Sequence, residues 1–143
     1  LYQYFPSKHA LVAELARRQQ AALLSGLERA LVPRSRSLAE AVRRLVGVAA
    51  EAQLSRAGLA RALDYAEGTL PPDAELDALN ERIGATVAAV LQPYVRGRWP
   101  VDVATRDVIA IVRGMIDTAG RAGELDPSSL TERVVRAVLG YLG

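Results

Sequence analysis

The strongest constraint on the fold is the succession of helix-forming segments along the chain. Each segment is rich in Ala, Leu, Arg and Glu, and short stretches with proline or glycine separate one segment from the next. Within a segment the apolar residues recur every three to four positions, which is the spacing of an amphipathic helix. The β-branched residues do not alternate with polar ones, as they would in a half-buried strand. We therefore predict an all-α fold, a helical bundle of about six helices.

The first predicted helix is unusually long. Ser7 follows Pro6 and is a suitable N-cap, and leucines recur at helical spacing from there until Pro33. About 24 residues at 1.5 Å per residue give a helix of roughly 36 Å. Each of the other helices follows a polar or proline-containing turn, and their predicted starts are Leu38, Arg56, Asp73 as a cap, Asp102, and Ser128 or Ser129.

The composition excludes several kinds of chemistry. The 143 residues include no cysteine, which excludes disulfides, thiolate catalysis and cysteine-ligated metals, and the single histidine, His9, cannot form a histidine cluster. No apolar run approaches the roughly 20 residues that cross a bilayer, and the first residues lack the pattern of a secretion signal. We expect one cytoplasmic domain with no cofactor, no metal and no membrane partner.

The first eight residues, LYQYFPSK, contain three of the seven aromatic residues of the chain. The net charge of +2 is too small to indicate nucleic-acid binding by itself, so such binding would depend on particular residues. Tyrosine hydroxyls and a lysine at a helix start suit phosphate oxygens, because the helix N-terminus offers free amide hydrogens and a positive dipole. The alternative is a hydrophobic staple, in which Phe5 or Pro6 packs on Leu11.

This opening pattern resembles the TetR family of bacterial transcriptional regulators. In that family the recognition helix closes with a Tyr-x-x-Phe pattern, followed by Pro-Ser-Lys and a long connecting helix. The residues that match here are Leu1, Tyr2, Tyr4, Phe5, Pro6, Ser7 and Lys8. The resemblance implies that residues 1–6 are the remnant of a helix-turn-helix domain and residues 7–143 a regulatory domain for ligand binding and dimerisation.

The same resemblance implies that the rest of the helix-turn-helix domain precedes Leu1 in the parent protein. The chain as written should then not read DNA alone, because the base-reading residues are missing. The DNA-contacting residues that the resemblance implies are Tyr2, Gln3, Tyr4 and Lys8. The expected function is ligand-responsive regulation of transcription, with a double-stranded DNA operator as partner and repression as the expected effect.

A small effector is expected to bind among the middle helices. Scarce aromatic, methionine and polar side chains are candidates for its contacts, namely Tyr65, Tyr94, Trp99, Met115 and Arg113. The alternatives are core packing for Met115, a lid over the bundle for Trp99, and an exposed pair with Asp117 for Arg113. Because these helices are mostly aliphatic, we expect a lipophilic or weakly polar effector.

The last two predicted helices carry more apolar surface than one bundle interior can bury. This excess predicts a homodimer that forms through Ile109, Val112, Ile116, Val134, Val135, Val138 and Leu139. A helical homodimeric protein-interaction module without DNA binding is the alternative function. No enzyme is expected, because the sequence shows no nucleophile with a base and no paired carboxylates in a recognisable pattern.

Overall fold

The computed structural model describes residues 7–55, 72–95 and 97–143, which form five α-helices and no strand. The helices are α1 (Lys8–Ala30), α2 (Leu38–Ser55), α3 (Ala74–Leu91), α4 (Val101–Arg121) and α5 (Pro127–Leu142). The predicted all-α fold is confirmed. The helix predicted to begin at Arg56 lies outside the described residues.

Two predicted N-caps are present. The Ser7 side chain accepts a hydrogen bond from the backbone N–H of Ala10 at 3.0 Å, and α1 then continues for 23 residues. The Asp73 carboxylate accepts one from the N–H of Leu76 at 2.8 Å and so begins α3. Both side chains bind amide hydrogens that have no partner inside the helix, which explains why the sequence located these two starts.

The start of α5 differs from the prediction. The N-cap is Asp126, whose carboxylate accepts a hydrogen bond from the N–H of Ser128 at 3.0 Å, so the helix begins at Pro127 and not at Ser128 or Ser129. Proline suits the first helical position because its missing N–H would have no partner there. An aspartate followed by proline was therefore the better start signal.

The core has two parts of different size. The larger part lies mainly between α2, α4 and α5, and its fully buried large side chains are Val46, Leu91, Leu130, Val134, Val135 and Val138. The smaller part joins α1 to α2 and α3 through Leu24, Leu27, Leu45 and Ile83. Among the described helices, α1 contacts only α2 and α3. The long helix is thus attached to one side of the bundle and is not part of its main core.

Polar contacts add to the attachment of α1 on α3. Arg17 forms an ion pair with Asp73, the N-cap of α3, and lies 3.5 Å from the Glu75 carboxylate. Further along the two helices, Gln20 donates a hydrogen bond to the Oδ1 atom of Asn80 at 2.7 Å. Polar side chains therefore connect the first half and the middle of α1 to the first half of α3.

Arg44 of α2 fixes the corner between α1 and α2. Its guanidinium donates to the carbonyl oxygens of Ala30, at 3.4 Å, and of Pro33, and it pairs with Glu40 at 2.6 Å. The last carbonyls of a helix have no partner inside it, so the arginine satisfies one of them and ties down the following turn.

Candidate ligand-binding cavity

A cavity of about 330 Å³ lies between α1, α2, α3 and α4. Aliphatic side chains from all four helices form most of its wall, among them Leu23, Val46, Val87 and Val112. This volume is near the lower end of the usual range for small-molecule sites. The space fits a compact organic molecule better than a large one.

The polar lining residues gather at one end of the cavity. Arg44 of α2 bonds to Ala30 of α1, and Gly26 approaches Val48, so the two helices run antiparallel. Polar positions in the middle of α1 and near the end of α2 therefore meet. The polar lining residues are Gln19 and Gln20 of α1, Gln53 of α2, Asn80 of α3, and Arg113 and Asp117 of α4.

Hydrogen bonds join these polar residues in two groups. Gln20 and Asn80 form the 2.7 Å bond between α1 and α3. On the other side Gln53 donates to the Oδ1 atom of Asp117 at 3.2 Å, and the Nε atom of Arg113 lies 4.0 Å from the Oδ2 atom of the same carboxylate. The Arg113 side chain is 58% exposed and that of Asp117 20%, so this end of the cavity reaches solvent.

The predicted effector contacts are placed unevenly around the cavity. Arg113 lines it, whereas Met115 is half-buried against the main core, which was the alternative interpretation of that residue. Tyr94 and Trp99 are 38% and 43% exposed and do not line the cavity. Tyr65 lies outside the described residues.

Sequence reasoning missed the carboxamides that line the cavity, although the sequence contains a signal for them. Asn80 stands three and seven positions before Ile83 and Val87, which are apolar lining residues of the same helix. Gln20 has the same relation to Leu23 and Leu27. A polar residue that extends an apolar stripe by one helical turn is a candidate for the polar end of a cavity.

The predicted DNA-contacting residues lie at the start of the chain. Lys8 is the first residue of α1 and is exposed, as is His9 beside it. Tyr2, Gln3 and Tyr4 lie outside the described residues.

The predicted dimer contacts occupy mostly inward positions. Ile116, Val134, Val135 and Val138 are at most 3% exposed within a single chain. Three others are half-buried: Ile109 and Val112, which line the cavity, and Leu139, which packs against the main core. The core of a single chain thus buries most of the apolar residues of α4 and α5 that were predicted to form the dimer. Periodicity alone could not show this.

In residues 7–55, 72–95 and 97–143, no three histidine or acidic side chains are placed to hold a metal ion. None of the helices formed by those residues is long and apolar enough to cross a membrane.

The described helices thus form an all-α domain with an apolar cavity that is polar at one end, and small-molecule sites in proteins commonly have this character. The family model described as the tetracyclin repressor-like C-terminal domain matches residues 37–142. The chain therefore belongs to the TetR family, and this membership points to a regulator rather than to an enzyme. The motif LYQYFPSK, which suggested the resemblance, lies outside residues 37–142, so the family match depends on a different part of the chain. Neither the curated proteins nor the solved structures gave a match.

Proposed function

We propose that this protein is a ligand-responsive, DNA-binding regulator of transcription, a cytoplasmic repressor whose effector occupies the cavity between α1 and α4. The observation that best supports this proposal is the shared use of α1. Its middle part lines the cavity through Gln19, Gln20, Leu23 and Leu27, and its N-terminal end bears Lys8. One helix thus touches both the effector site and the predicted DNA-binding end.

The effector acts through the position of α1. This helix contacts only α2 and α3 among the described helices, and its apolar contacts belong to the smaller core. A ligand that fits one arrangement of α1 better than another shifts the population toward that arrangement, by as much as the two affinities differ. A DNA-binding head at the start of α1 moves with the helix, so its fit to DNA changes.

Lys8, with Tyr2, Gln3 and Tyr4, contacts the DNA in this proposal. Lys8 lies at the N-terminus of α1, where its charge adds to the free amide hydrogens and dipole of the helix. Such contacts to phosphate oxygens fix the position of a protein on DNA without reading its sequence.

DNA binding tests the proposal directly. The protein, as its gene encodes it, is titrated onto fluorescent duplexes from its own genomic neighbourhood at several salt concentrations. Lys8→Gln is expected to weaken binding and to reduce the salt slope by about one phosphate contact. Arg29→Gln, at the other end of the same helix, is the control and should change neither. Absence of salt-dependent binding would contradict the regulator and favour the interaction module.

We further propose that the homodimer forms through α4 and α5, with the exposed face of α4 at its centre. Ala110, Gly114 and Thr118 are exposed, and the half-buried Ile111 and Met115 flank them. A Cβ atom added at Gly114 would meet no atom within 4 Å in one chain, so this face has room for a close partner.

A further inference from the structure

The described residues that line the polar end of the cavity carry no net charge. Among them Arg113 and Asp117 are the ionisable ones, and they form a pair with each other. The four remaining polar residues are carboxamides, each of which can both donate and accept hydrogen bonds. The other described residues of the wall are aliphatic. These features together restrict the head group that a ligand can bring into the site.

We infer that the cavity binds a neutral amphipathic molecule, whose apolar body fills the aliphatic part and whose uncharged head group exchanges hydrogen bonds with the carboxamides. This inference rests on the proposed function, because it names the class of effector for the same site. A primary amide or a hydroxyl group suits the head, since it can both donate and accept as its partners do.

Charged head groups fit less well for electrostatic reasons. A carboxylate near the Arg113 guanidinium would also approach the Asp117 carboxylate, which is 20% exposed and already accepts a hydrogen bond from Gln53. An ammonium group near the Asp117 carboxylate would also approach the Arg113 guanidinium, which repels it. A charge that leaves water without a partner loses much of its solvation free energy, so either ion is disfavoured relative to a neutral head.

The neutral head also has a position where it can affect α1. Gln20 and Asn80 bond to each other across α1 and α3 and both line the cavity. A ligand head that bonds to one of them competes with this contact between the helices. The next polar contact toward the start of α1 is the Arg17 pair with Asp73. A ligand at the polar end therefore acts on a contact of α1 that lies next to the Arg17–Asp73 pair, and this pair is closer to the DNA-binding end of the helix.

Three probes with the same eight-carbon chain test the charge of the head group. Octanamide, octanoate and octylammonium are titrated onto the chain at pH 7 by calorimetry. We expect octanamide to bind at least about tenfold more tightly than either ion. Ala49→Phe fills the cavity and should abolish binding of octanamide, whereas Ala89→Phe, at an exposed position of α3, should leave it unchanged.

Two variants test whether the charges of Arg113 and Asp117 determine which head group binds. Asp117→Asn removes the negative charge beside Arg113, so the affinity for octanoate relative to octanamide should rise. Arg113→Gln removes the positive charge beside Asp117, so the relative affinity for octylammonium should rise. Asp102→Asn, an exposed position on the same helix, is the matched control and should not change these relative affinities. Thermal melts monitored by circular dichroism confirm that each variant is folded.

Tighter binding of octanoate by the unaltered chain, or relative affinities that stay unchanged in both charge variants, would overturn the inference. So would a failure of all three probes to bind. None of these results would affect the regulator itself, because DNA binding is measured separately. Octanamide binding that is insensitive to Ala49→Phe would instead overturn both the inference and the assignment of the cavity as the effector site.

Discussion

Arg17 contacts acidic side chains on two helices, Glu14 on α1 and Asp73 and Glu75 at the start of α3. Hydrogen bonds from Arg17 at 2.8 Å and from Arg18 at 2.9 Å hold the pKa of Glu14 below its ordinary value of 4.5. The pKa of Asp73 is lowered first by the backbone N–H of Leu76 and then by Arg17. Arg17 thus stabilises the charged form of both carboxylates.

These lowered pKa values predict how stability depends on pH. Glu14 binds fewer protons in the folded chain than in the unfolded one, so its contribution is complete above about pH 4.5 and is lost as the pH falls through the lowered folded value. Arg17→Met should therefore lower the unfolding free energy at pH 7 and flatten its decline in acid. Urea unfolding between pH 7 and pH 3 measures this.

Arg29→Met is the control for this experiment, since Arg29 is exposed in the last turn of the same helix. In this variant the unfolding free energy should fall with decreasing pH as much as it does in the unaltered chain. If the unfolding free energy of Arg17→Met fell just as much between pH 7 and pH 3, the lowered pKa of Glu14 would have a cause other than Arg17.

Among the helices, α1 is the element that links the two proposed sites, and its C-terminal end is fixed by Arg44. Arg44→Met should leave a helix-terminal carbonyl and the following turn less restrained. We expect faster amide hydrogen exchange in the last turn of α1 and in residues 31–37, measured by mass spectrometry. Arg43→Met changes the neighbouring, exposed arginine and should leave this exchange unchanged. Equal acceleration by both variants would contradict the role of Arg44.

The sequence predicted the described helices well because their signals are local. A cap such as Ser7 or Asp73 acts within three residues of its own position, and Pro33 and Pro93 each follow the end of a helix within three residues. The cavity depends on side chains of four helices, such as Gln20 and Asn80, which are 60 positions apart. Periodicity shows that a residue is on a stripe, but it does not show which stripes meet or where they leave space.

The dimer residues show the same limit. Periodicity placed Val134 and Val138 on an apolar face of the last helix, and both are 0% exposed. A sequence cannot distinguish a face that the chain itself covers from one that a second copy covers. Ala110, Gly114 and Thr118 of α4 became candidates only once the exposure of each position was known.

For the whole molecule, we expect a homodimer that depends on the exposed face of α4. Sedimentation equilibrium at micromolar concentration should give twice the chain mass of 15.3 kDa. Gly114→Arg places a long cation in the proposed contact and should yield monomers. Gly84→Arg, on α3, also adds arginine where a Cβ atom meets nothing and should remain dimeric. A monomer mass for the unaltered chain would contradict the dimer.

The central claim is that occupation of the cavity moves the start of α1. Because the chain contains no cysteine, His9→Cys introduces one unique site for a spin label, at an exposed position one residue from the N-terminus of α1. In the dimer, pulsed electron paramagnetic resonance then measures the distance between the two labels. Saturating octanamide is predicted to shift this distance distribution, and the shift should disappear in the Ala49→Phe background. A distribution that stays the same while octanamide is bound would contradict the account.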